Sequence, residues 1–171
     1  MPNAEDLMQH VRVAYPNGVP NLFRTLSGNR AVLAGFLALD DRLEDEGVLE
    51  PKERLIVGLI TAQHLDCGYC QAALSEEAKD AGTDADIITA ILSHTAPSQP
   101  RARTLVDATQ RILETHGRLP RAEIAHFSRN GLDEAALLEV IAVIGEFTIA
   151  TQANHLMRTR IDPEYRGADQ A

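Results

Sequence analysis

Apolar side chains recur at steps of three and four residues along most of the chain. In the segment GNRAVLAGFLALDDRL these positions are Val32, Phe36, Leu39 and Leu43, and the segment EPKERLIVGLITAQ repeats the pattern after Pro51. Such steps place apolar groups on one face of an α-helix, and proline favours the first turn of a helix. No segment alternates apolar and polar residues between hairpin turns, so the pattern predicts an all-α fold.

Three more segments show the same helical periodicity. The first follows the second cysteine and ends at Gly82, the second runs from Thr83 to the break SHTAPSQP, and the third, RTLVDATQRILETHG, ends at Gly117. Glycine commonly ends helices because it adopts a left-handed backbone conformation without a steric penalty. The chain is therefore expected to form a bundle of several helices with short connections.

The segment GLDEAALLEVIAVIGEFTIATQANHLM predicts the longest helix. Asp133 is a suitable N-cap, and Leu132 and Leu137 are placed to contact each other across it as a hydrophobic staple. From Leu137 to Ala150 the helix is apolar on nearly all sides. Such a helix is expected at the centre of the fold or in a subunit interface.

Length and composition indicate one domain. A chain of 171 residues with 44% apolar residues is long enough to bury a sizeable core, and no long Gly/Ser or Pro linker divides it. We predict a single domain over residues 1–171, with 1–14 as an N-terminal extension and 162–171 as a flexible tail.

Charge and hydropathy narrow the classes of partner. The formal net charge of −9 argues against nucleic acid or an anionic membrane, since both require clustered Lys and Arg. No apolar run approaches the roughly 18 residues of a membrane span, and the N-terminal MPNAEDLMQH lacks the basic and apolar parts of a signal peptide. These features predict a cytoplasmic protein, in which a structural disulfide is not expected.

The two cysteines, Cys67 and Cys70, lie three residues apart in HLDCGYCQAA. Free cysteine often serves as a small buried apolar residue, which is the simplest interpretation. Asp66, however, is a suitable N-cap, and a first helical turn that held both cysteines would favour thiolates. It would also keep their Cα atoms ~5 Å apart, within the disulfide range. A metal site would need His64 and a fourth ligand beside both cysteines, so we predict neither a metal nor a cofactor.

Three segments carry a resemblance to a known family: YPNGVPNLFRTLSGN, LEPKERLIVGLITAQHLDCGYCQAA and EVIAVIGEFTIATQANHL, in this order between Tyr15 and His155. They resemble the carboxymuconolactone decarboxylase/alkylhydroperoxidase D-like family, and within it the peroxidase-related proteins with a CxxC motif. The resemblance implies an alkylhydroperoxidase D-like helical bundle, assembly into a homotrimer or homohexamer, and thiol peroxidase chemistry. In that chemistry one cysteine attacks a peroxide, and the other converts the resulting sulfenic acid to a disulfide.

One part of the family's site is not matched by this sequence. The family pattern has a glutamate twelve residues before the first cysteine and a histidine four residues after the second, and these two groups relay protons. Leu55 and Leu74 occupy the two positions here. Glu53 is two residues away from the first position, about 200° around a helix, so it faces elsewhere. By analogy with the family, Cys70 attacks and Cys67 resolves, but the relay does not carry over.

Loss of the relay affects the two parts of the reaction unequally. An unperturbed thiol is about 3% thiolate at pH 7, and a pKa two units lower would raise its rate of attack only about threefold, since nucleophilicity falls with the pKa. A positioned acid that protonates a leaving alkoxide is worth about 10²–10⁴ in rate. Disulfide exchange, whose leaving group is a thiolate, depends less on such an acid. We therefore predict a dithiol oxidoreductase with weak or altered peroxidase activity, in which Leu74 also dries the site and raises a thiol pKa.

Two side chains could replace the missing relay. His64 lies three residues before Cys67 and could reach its sulfur, or it could cap the end of the preceding helix. Glu146 would be costly to bury unpaired, so it is either a replacement acid or a group that faces solvent or a subunit boundary. Asn154 and His155 are expected to have a structural role near a subunit contact. The candidate catalytic residues are therefore Cys67, Cys70 and His64.

The predicted partners are a small peroxide or disulfide substrate and a dithiol reductant. Two other functions stay open. One is a lactone decarboxylase like the other branch of the family, which generally lacks the CxxC motif. The other is a non-enzymatic oligomeric scaffold, which would show no reversible loss of two thiols on mild oxidation.

Overall fold

Helices make up the regular structure of the computed structural model, which describes residues 3–166. Within this range no strand is formed, so the all-α prediction is confirmed. Among the same residues, no helix has both the length and the apolar character that a membrane span requires. The helices are α1 (Ala4–Ala14), α2 (Asn21–Leu26), α3 (Arg30–Glu46), α4 (Pro51–His64), α5 (Gly68–Asp80), α6 (Ala85–Leu92), α7 (Pro100–Thr115), α8 (Arg121–Arg129) and α9 (Glu134–Met157), followed by a 3₁₀ turn (Pro163–Tyr165).

Side chains and proline fix the starts of helices α4 and α9. Pro51 begins α4, and the Glu53 carboxylate accepts a hydrogen bond from the backbone N–H of Glu50 at 3.1 Å. Asp133 caps α9 as predicted, since its carboxylate accepts a hydrogen bond from the N–H of Ala136 at 2.9 Å. These contacts satisfy N–H groups that have no partner within the helix.

Helices α4 and α9 form the centre of the bundle. Helix α4 packs against α5, α7 and α9, while α9 also contacts α2 and α3. Leu59, Val140 and Val143 are completely buried between these layers, and each such side chain contributes about 1.5–3 kcal/mol by leaving water. The apolar character of α9 therefore serves the core on one side. Its other side leaves Ile141 and Ile149 47% and 44% exposed.

The close approach of α4 and α9 depends on Gly58. A Cβ atom at this position would lie 2.6 Å from the Phe147 ring, so the ring or a helix would have to move. We expect Gly58→Ala to destabilise the fold by about 1–3 kcal/mol, because the core is close-packed. Gly35→Ala on α3 is the control, since its Cβ would meet nothing within 4 Å. Urea unfolding that gave equal stabilities for the two variants would contradict this account.

Both ends of the described chain pack onto the bundle. Helix α1 buries Leu7 and Val11 and contacts α3. After α9, the buried Asp162 accepts hydrogen bonds from the Tyr69 hydroxyl at 2.6 Å and from the N–H of Asn21 at 3.1 Å. The predicted tail is thus anchored where it begins, and residues 167–171 lie outside the described residues. The boundary of the N-terminal extension stays a prediction.

Candidate functional site

The two cysteines lie at the turn between α4 and α5. Asp66 has a left-handed backbone conformation (φ 55), and the N–H of Cys67 donates to the carbonyl of Ala62 at 2.8 Å. This is the pattern of a Schellman motif that ends α4, and a residue in that conformation cannot also cap α5. The predicted N-cap at Asp66 is therefore wrong. Cys67 is the N-cap itself, and its Sγ accepts a hydrogen bond from the N–H of Cys70 at 3.4 Å.

Cys67 and Cys70 are free thiols and are only 1% and 3% exposed. They lie 3.2 Å apart, so a disulfide requires little movement of the backbone. Helix α9 directs two hydrogen-bond donors at the Cys70 sulfur, the Asn154 amide at 3.3 Å and the Thr151 hydroxyl at 3.5 Å. These donors stabilise negative charge on Cys70 when it forms.

A hydrogen bond between the two thiols separates their acidities. The Cys70 S–H donates to Cys67 and is the main cause that lowers the pKa of Cys67 to about 6, against the opposing effect of burial. The same hydrogen bond, followed by burial, raises the pKa of Cys70. The drying effect predicted from Leu74 thus matches the direction at Cys70 and is outweighed at Cys67. At neutral pH the pair holds one proton, on Cys70, and the negative charge on Cys67.

The imidazole next to the dithiol is that of His155. Its Nε2 is 3.2 Å from the carbonyl oxygen of Asp66, and its charge adds to the hydrogen bond from Cys70 in lowering the pKa of Cys67. His64 is the last residue of α4 and is exposed, and its side chain forms no hydrogen bond or ion pair with another described residue. Within residues 3–166 no group of three or more His, Cys, Asp and Glu side chains is arranged to hold a metal ion.

A cavity of about 250 Å³ opens beside Cys70. Leu55 of α4 and Leu74 of α5 both line it, so the two relay positions of the family face the same space as Cys70. Glu53 binds elsewhere, with its carboxylate paired to the guanidinium of Arg101 at 2.6 and 3.2 Å. Its orientation agrees with its register on α4. The cavity therefore presents apolar walls to Cys70 where the relay groups would stand.

Carboxyl groups line the same cavity farther from the sulfur. Glu146 is only 5% exposed, so the alternative that it faces solvent is wrong. Burial, followed by the nearby charge of Asp40, raises the pKa of Glu146 to about 8. The same two causes raise the pKa of Glu77 to about 7. Both groups are therefore half or more protonated at neutral pH.

The donors to Cys70 were not predicted from the sequence. Asn154 was expected to have a structural role and Thr151 was not singled out, because both lie more than 80 residues from Cys70 in the chain. The available signal was their spacing of three on α9, which places both on one face at the end of an apolar helix. Such a polar pair on a core helix indicates a buried partner.

The fold is an alkylhydroperoxidase D-like helical bundle, shared with several proteins of solved structure. A peroxidase-related protein from Ralstonia eutropha JMP134, described as an alkylhydroperoxidase AhpD core, superposes with a TM-score of 0.85 at 19% identity, covering 96% of this chain and 91% of that one. A peroxidase-related protein from Silicibacter sp. TM1040 gives a TM-score of 0.83 at 18% identity, with coverages of 95% and 88%. The debrominase Bmp8 gives 0.76 at 16% identity, with coverages of 96% and 89%. At these identities the likeness shows the fold alone.

A family model matches just under half of the chain. Residues 30–111 match the model of the carboxymuconolactone decarboxylase family, which confirms the resemblance predicted from the sequence. The matched segment includes the CxxC pair and both leucines of the relay positions. None of the curated proteins compared with the chain matches it.

Proposed function

We propose that the protein is a dithiol oxidoreductase in which Cys67 and Cys70 cycle between two thiols and an intramolecular disulfide. The observation that carries this proposal is the pair itself, two buried thiols 3.2 Å apart with a pKa of about 6 at Cys67. The donors from α9 to Cys70 support it, because an inert buried thiol has no need of them. The proposal places the protein in the cytoplasm, where a dithiol reductant regenerates the thiols.

Cys70 is proposed as the attacking sulfur, because Cys70 and not Cys67 lines the cavity. The Cys67 thiolate accepts the Cys70 proton along the hydrogen bond that already joins them. Charge then builds on Cys70, where Asn154 and Thr151 donate to it. Cys67 thus acts first as the base and later as the resolving thiol. His64 has no part in this sequence of steps, although the chain pattern placed it nearby.

The reaction with a disulfide R–S–S–R′ balances without another group. The Cys70 sulfur forms a bond to one substrate sulfur, the substrate S–S bond breaks, and the departing thiolate takes the proton now on Cys67. The Cys67 thiolate then attacks the Cys70 sulfur and releases the second substrate sulfur as a thiolate, which takes a proton from water. The substrate gains two electrons and the dithiol loses them. A small dithiol reverses the change by the same exchange steps.

Peroxide is proposed to be a poor substrate for the same pair. Cleavage of an O–O bond releases hydroxide or alkoxide, which needs a proton at the moment of departure. The side chains of Leu55 and Leu74 have no proton that they can transfer, and they occupy the part of the cavity wall where the family's relay groups would supply one. Glu77 lies seven residues after Cys70 on α5, about 10 Å along the helix axis, too far to protonate an oxygen bound next to the sulfur. Peroxidase activity is therefore expected to be weak.

Intact mass spectrometry tests the proposed function. Reduced protein treated with a small excess of bis(2-hydroxyethyl) disulfide is expected to lose two hydrogen masses per chain and to regain them with dithiothreitol. Cys67→Ser is expected to stop at a mixed disulfide on Cys70, which identifies the attacking sulfur. An unchanged mass, or a bridge only between chains, would favour the scaffold or the lactone decarboxylase instead.

A second candidate function uses the same dithiol on a halogenated aromatic compound. The cavity is larger than peroxide requires, and Phe36, Phe147 and Tyr15 line it; a variant of the structurally similar debrominase Bmp8 was solved with 2,3,4-tribromopyrrole. Cys70 would bond to the halogen while the ring carbon takes a proton from Glu146. Cys67 would then attack Cys70, forming the disulfide and releasing halide. Halide release by the reduced protein, measured by ion chromatography, tests this candidate.

A homotrimer or homohexamer is proposed from the outer face of α9. Leu138, Ile141 and Ile149 are 61%, 47% and 44% exposed, and with Gly145 they form one stripe along the helix. Light scattering at micromolar concentration is expected to give a multiple of the 18.7 kDa chain mass. Ile141→Lys should lower that mass, whereas Ile124→Lys on α8 should leave it unchanged. A monomer in the wild type would refute the proposal.

A further inference from the structure

The cavity has a thiol end and a carboxyl end. On α5, Glu77 follows Cys70 by seven residues, two helical turns or about 10 Å. On α9, Glu146 precedes Asn154 by eight residues, about 12 Å, and Asn154 is the residue that donates to Cys70. Cys70, Glu77 and Glu146 all line the one cavity. A ligand that fills it therefore contacts the reactive sulfur at one end and these carboxyls at the other.

The carboxyl end holds more acidic groups than basic ones. Asp40 and Glu44 of α3 line it together with Glu77 and Glu146, against one cation, Arg54 of α4. The guanidinium of Arg54 donates to the carbonyl of Leu49 at 3.0 Å. Among the described residues it forms no ion pair with these carboxyls, although its charge opposes the rise in the pKa of Asp40 and of Glu146. With all groups ionised, the four carboxyls and one guanidinium leave an excess of three negative charges.

Glu146 is the group in this set that most needs a partner. Its side chain is 95% buried, by its exposure of 5%, and no described residue donates a hydrogen bond to it. Among the described residues, the only hydrogen-bond donor to the Glu77 side chain is the hydroxyl of Tyr165, at 3.4 Å. A buried carboxylate without a hydrogen-bond donor is costly, and the charge of Arg54 offsets the effect of burial on Glu146 only in part. Glu146 therefore favours its protonated form, and a cationic ligand in the cavity would favour its ionised form.

The rest of the wall suits an organic cation. The aromatic rings of Tyr15, Phe23, Phe36 and Phe147 line the cavity, and the faces of such rings attract ammonium groups. Carboxylates combined with aromatic rings are the usual surroundings of a bound amine in proteins. An anionic ligand would meet repulsion from the same carboxyls.

We propose that the cavity selects disulfide substrates that bear an ammonium group, with the disulfide at Cys70 and the ammonium between Glu77 and Glu146. This inference rests on the proposed function, since it names the substrate class of the same dithiol. It adds a recognition site that is distinct from the two sulfurs.

Three disulfides of matched length test the proposal: cystamine, bis(2-hydroxyethyl) disulfide and 3,3′-dithiodipropionate, whose ends are cationic, neutral and anionic. The rate of oxidation of the reduced protein by each is divided by the rate of dithiothreitol with the same disulfide at pH 8, which removes intrinsic reactivity. We expect the normalised rate with cystamine to exceed the neutral rate by about tenfold, the size of one charge-assisted contact. The anionic disulfide should be slower than the neutral one.

Isosteric variants locate the effect. Glu146→Gln and Glu77→Gln are each expected to reduce the ratio of the cystamine rate to the neutral rate, and the double variant should bring it close to one. Glu134→Gln is the matched control, because it removes one negative charge from the exposed first turn of the same helix α9. It should keep the ratio, which separates the cavity from the general attraction of a chain with net charge −9.

The outcomes separate the two proposals. Equal normalised rates for the three disulfides, or a ratio that survives in the double variant, overturn the cation site while the dithiol function stands. No oxidation by any of the three overturns the dithiol function itself.

Discussion

The double variant Leu55→Glu/Leu74→His is expected to consume peroxide at least about tenfold faster than the wild type. Both side chains line the cavity beside Cys70, so the new groups stand where a bound peroxide would receive a proton. The glutamate orients the imidazole and stabilises its protonated form, and the imidazolium protonates the departing oxygen. Each single variant should gain less, because proton transfer needs both ends of the relay. Peroxide consumption coupled to a dithiol reductant gives the four rates.

A polar control separates proton transfer from simple wetting of the cavity. Leu55→Gln/Leu74→Gln introduces polar side chains of similar size at the same two positions, and neither amide transfers protons at neutral pH. Its peroxide rate is expected to stay at the wild-type level. A gain in this control equal to that of Leu55→Glu/Leu74→His would mean that dryness, and not the missing relay, limits the wild type.

Thiolate in the reduced protein is expected to appear with a midpoint near pH 6. The hydrogen bond from Cys70 lowers the pKa of Cys67 to about 6, so Cys67 is protonated below that pH and ionised above it. At pH 7 about 90% of Cys67 is then thiolate, against about 3% for an ordinary thiol, a difference of roughly 30-fold. The ultraviolet absorbance of thiolate, followed against pH, measures this directly and does not require a reagent to enter the buried site.

Two replacements of Cys70 test the cause of the low pKa. Cys70→Ser keeps a hydrogen-bond donor beside Cys67 and should keep the low midpoint. Cys70→Ala removes the donor while burial remains, so the midpoint should rise towards or above the ordinary thiol value of about 8.5. A midpoint near that value already in the wild type would show that the hydrogen bond between the thiols is not formed in solution.

The fold followed closely from residue spacing. The apolar steps of three and four residues predict the helices correctly. The helix start at Pro51 and the N-cap at Asp133 are also predicted correctly, because these effects act over a few neighbouring residues. The central place of α9 followed from its apolar circumference. Its exposed stripe at Ile141 and Ile149 did not follow from spacing, because an all-apolar helix does not reveal which side the core covers.

The site was predictable in part. Counting residues from the cysteines places Leu55 and Leu74 at the relay positions, and both line the cavity beside Cys70. Helix register predicts that Glu53 faces another side of α4, and Glu53 does pair with Arg101 instead. The prediction that Asp66 is the N-cap of α5 was wrong, since aspartate suits both an N-cap and the left-handed position after a helix. In the structure Asp66 takes the left-handed position that ends α4.

Contacts between distant segments could not be read from the chain. The Asn154 amide reaches Cys70 only because α9 packs beside α5. The same packing brings His155 to the dithiol and leaves His64 on the surface. Spacing in sequence favoured His64 because it lies three residues from Cys67, but the turn at Asp66 directs the two apart.

Comparison of two oxidants on the wild-type protein tests the central claim most directly. Reduced protein is mixed with bis(2-hydroxyethyl) disulfide or with hydrogen peroxide, loss of both thiols is followed in time, and each rate is divided by that of dithiothreitol with the same oxidant. A retained dithiol without a proton relay predicts a normalised rate with the disulfide that clearly exceeds the normalised rate with peroxide. A normalised peroxide rate as high as, or higher than, the disulfide rate would contradict it and would mean that another group protonates the departing oxygen.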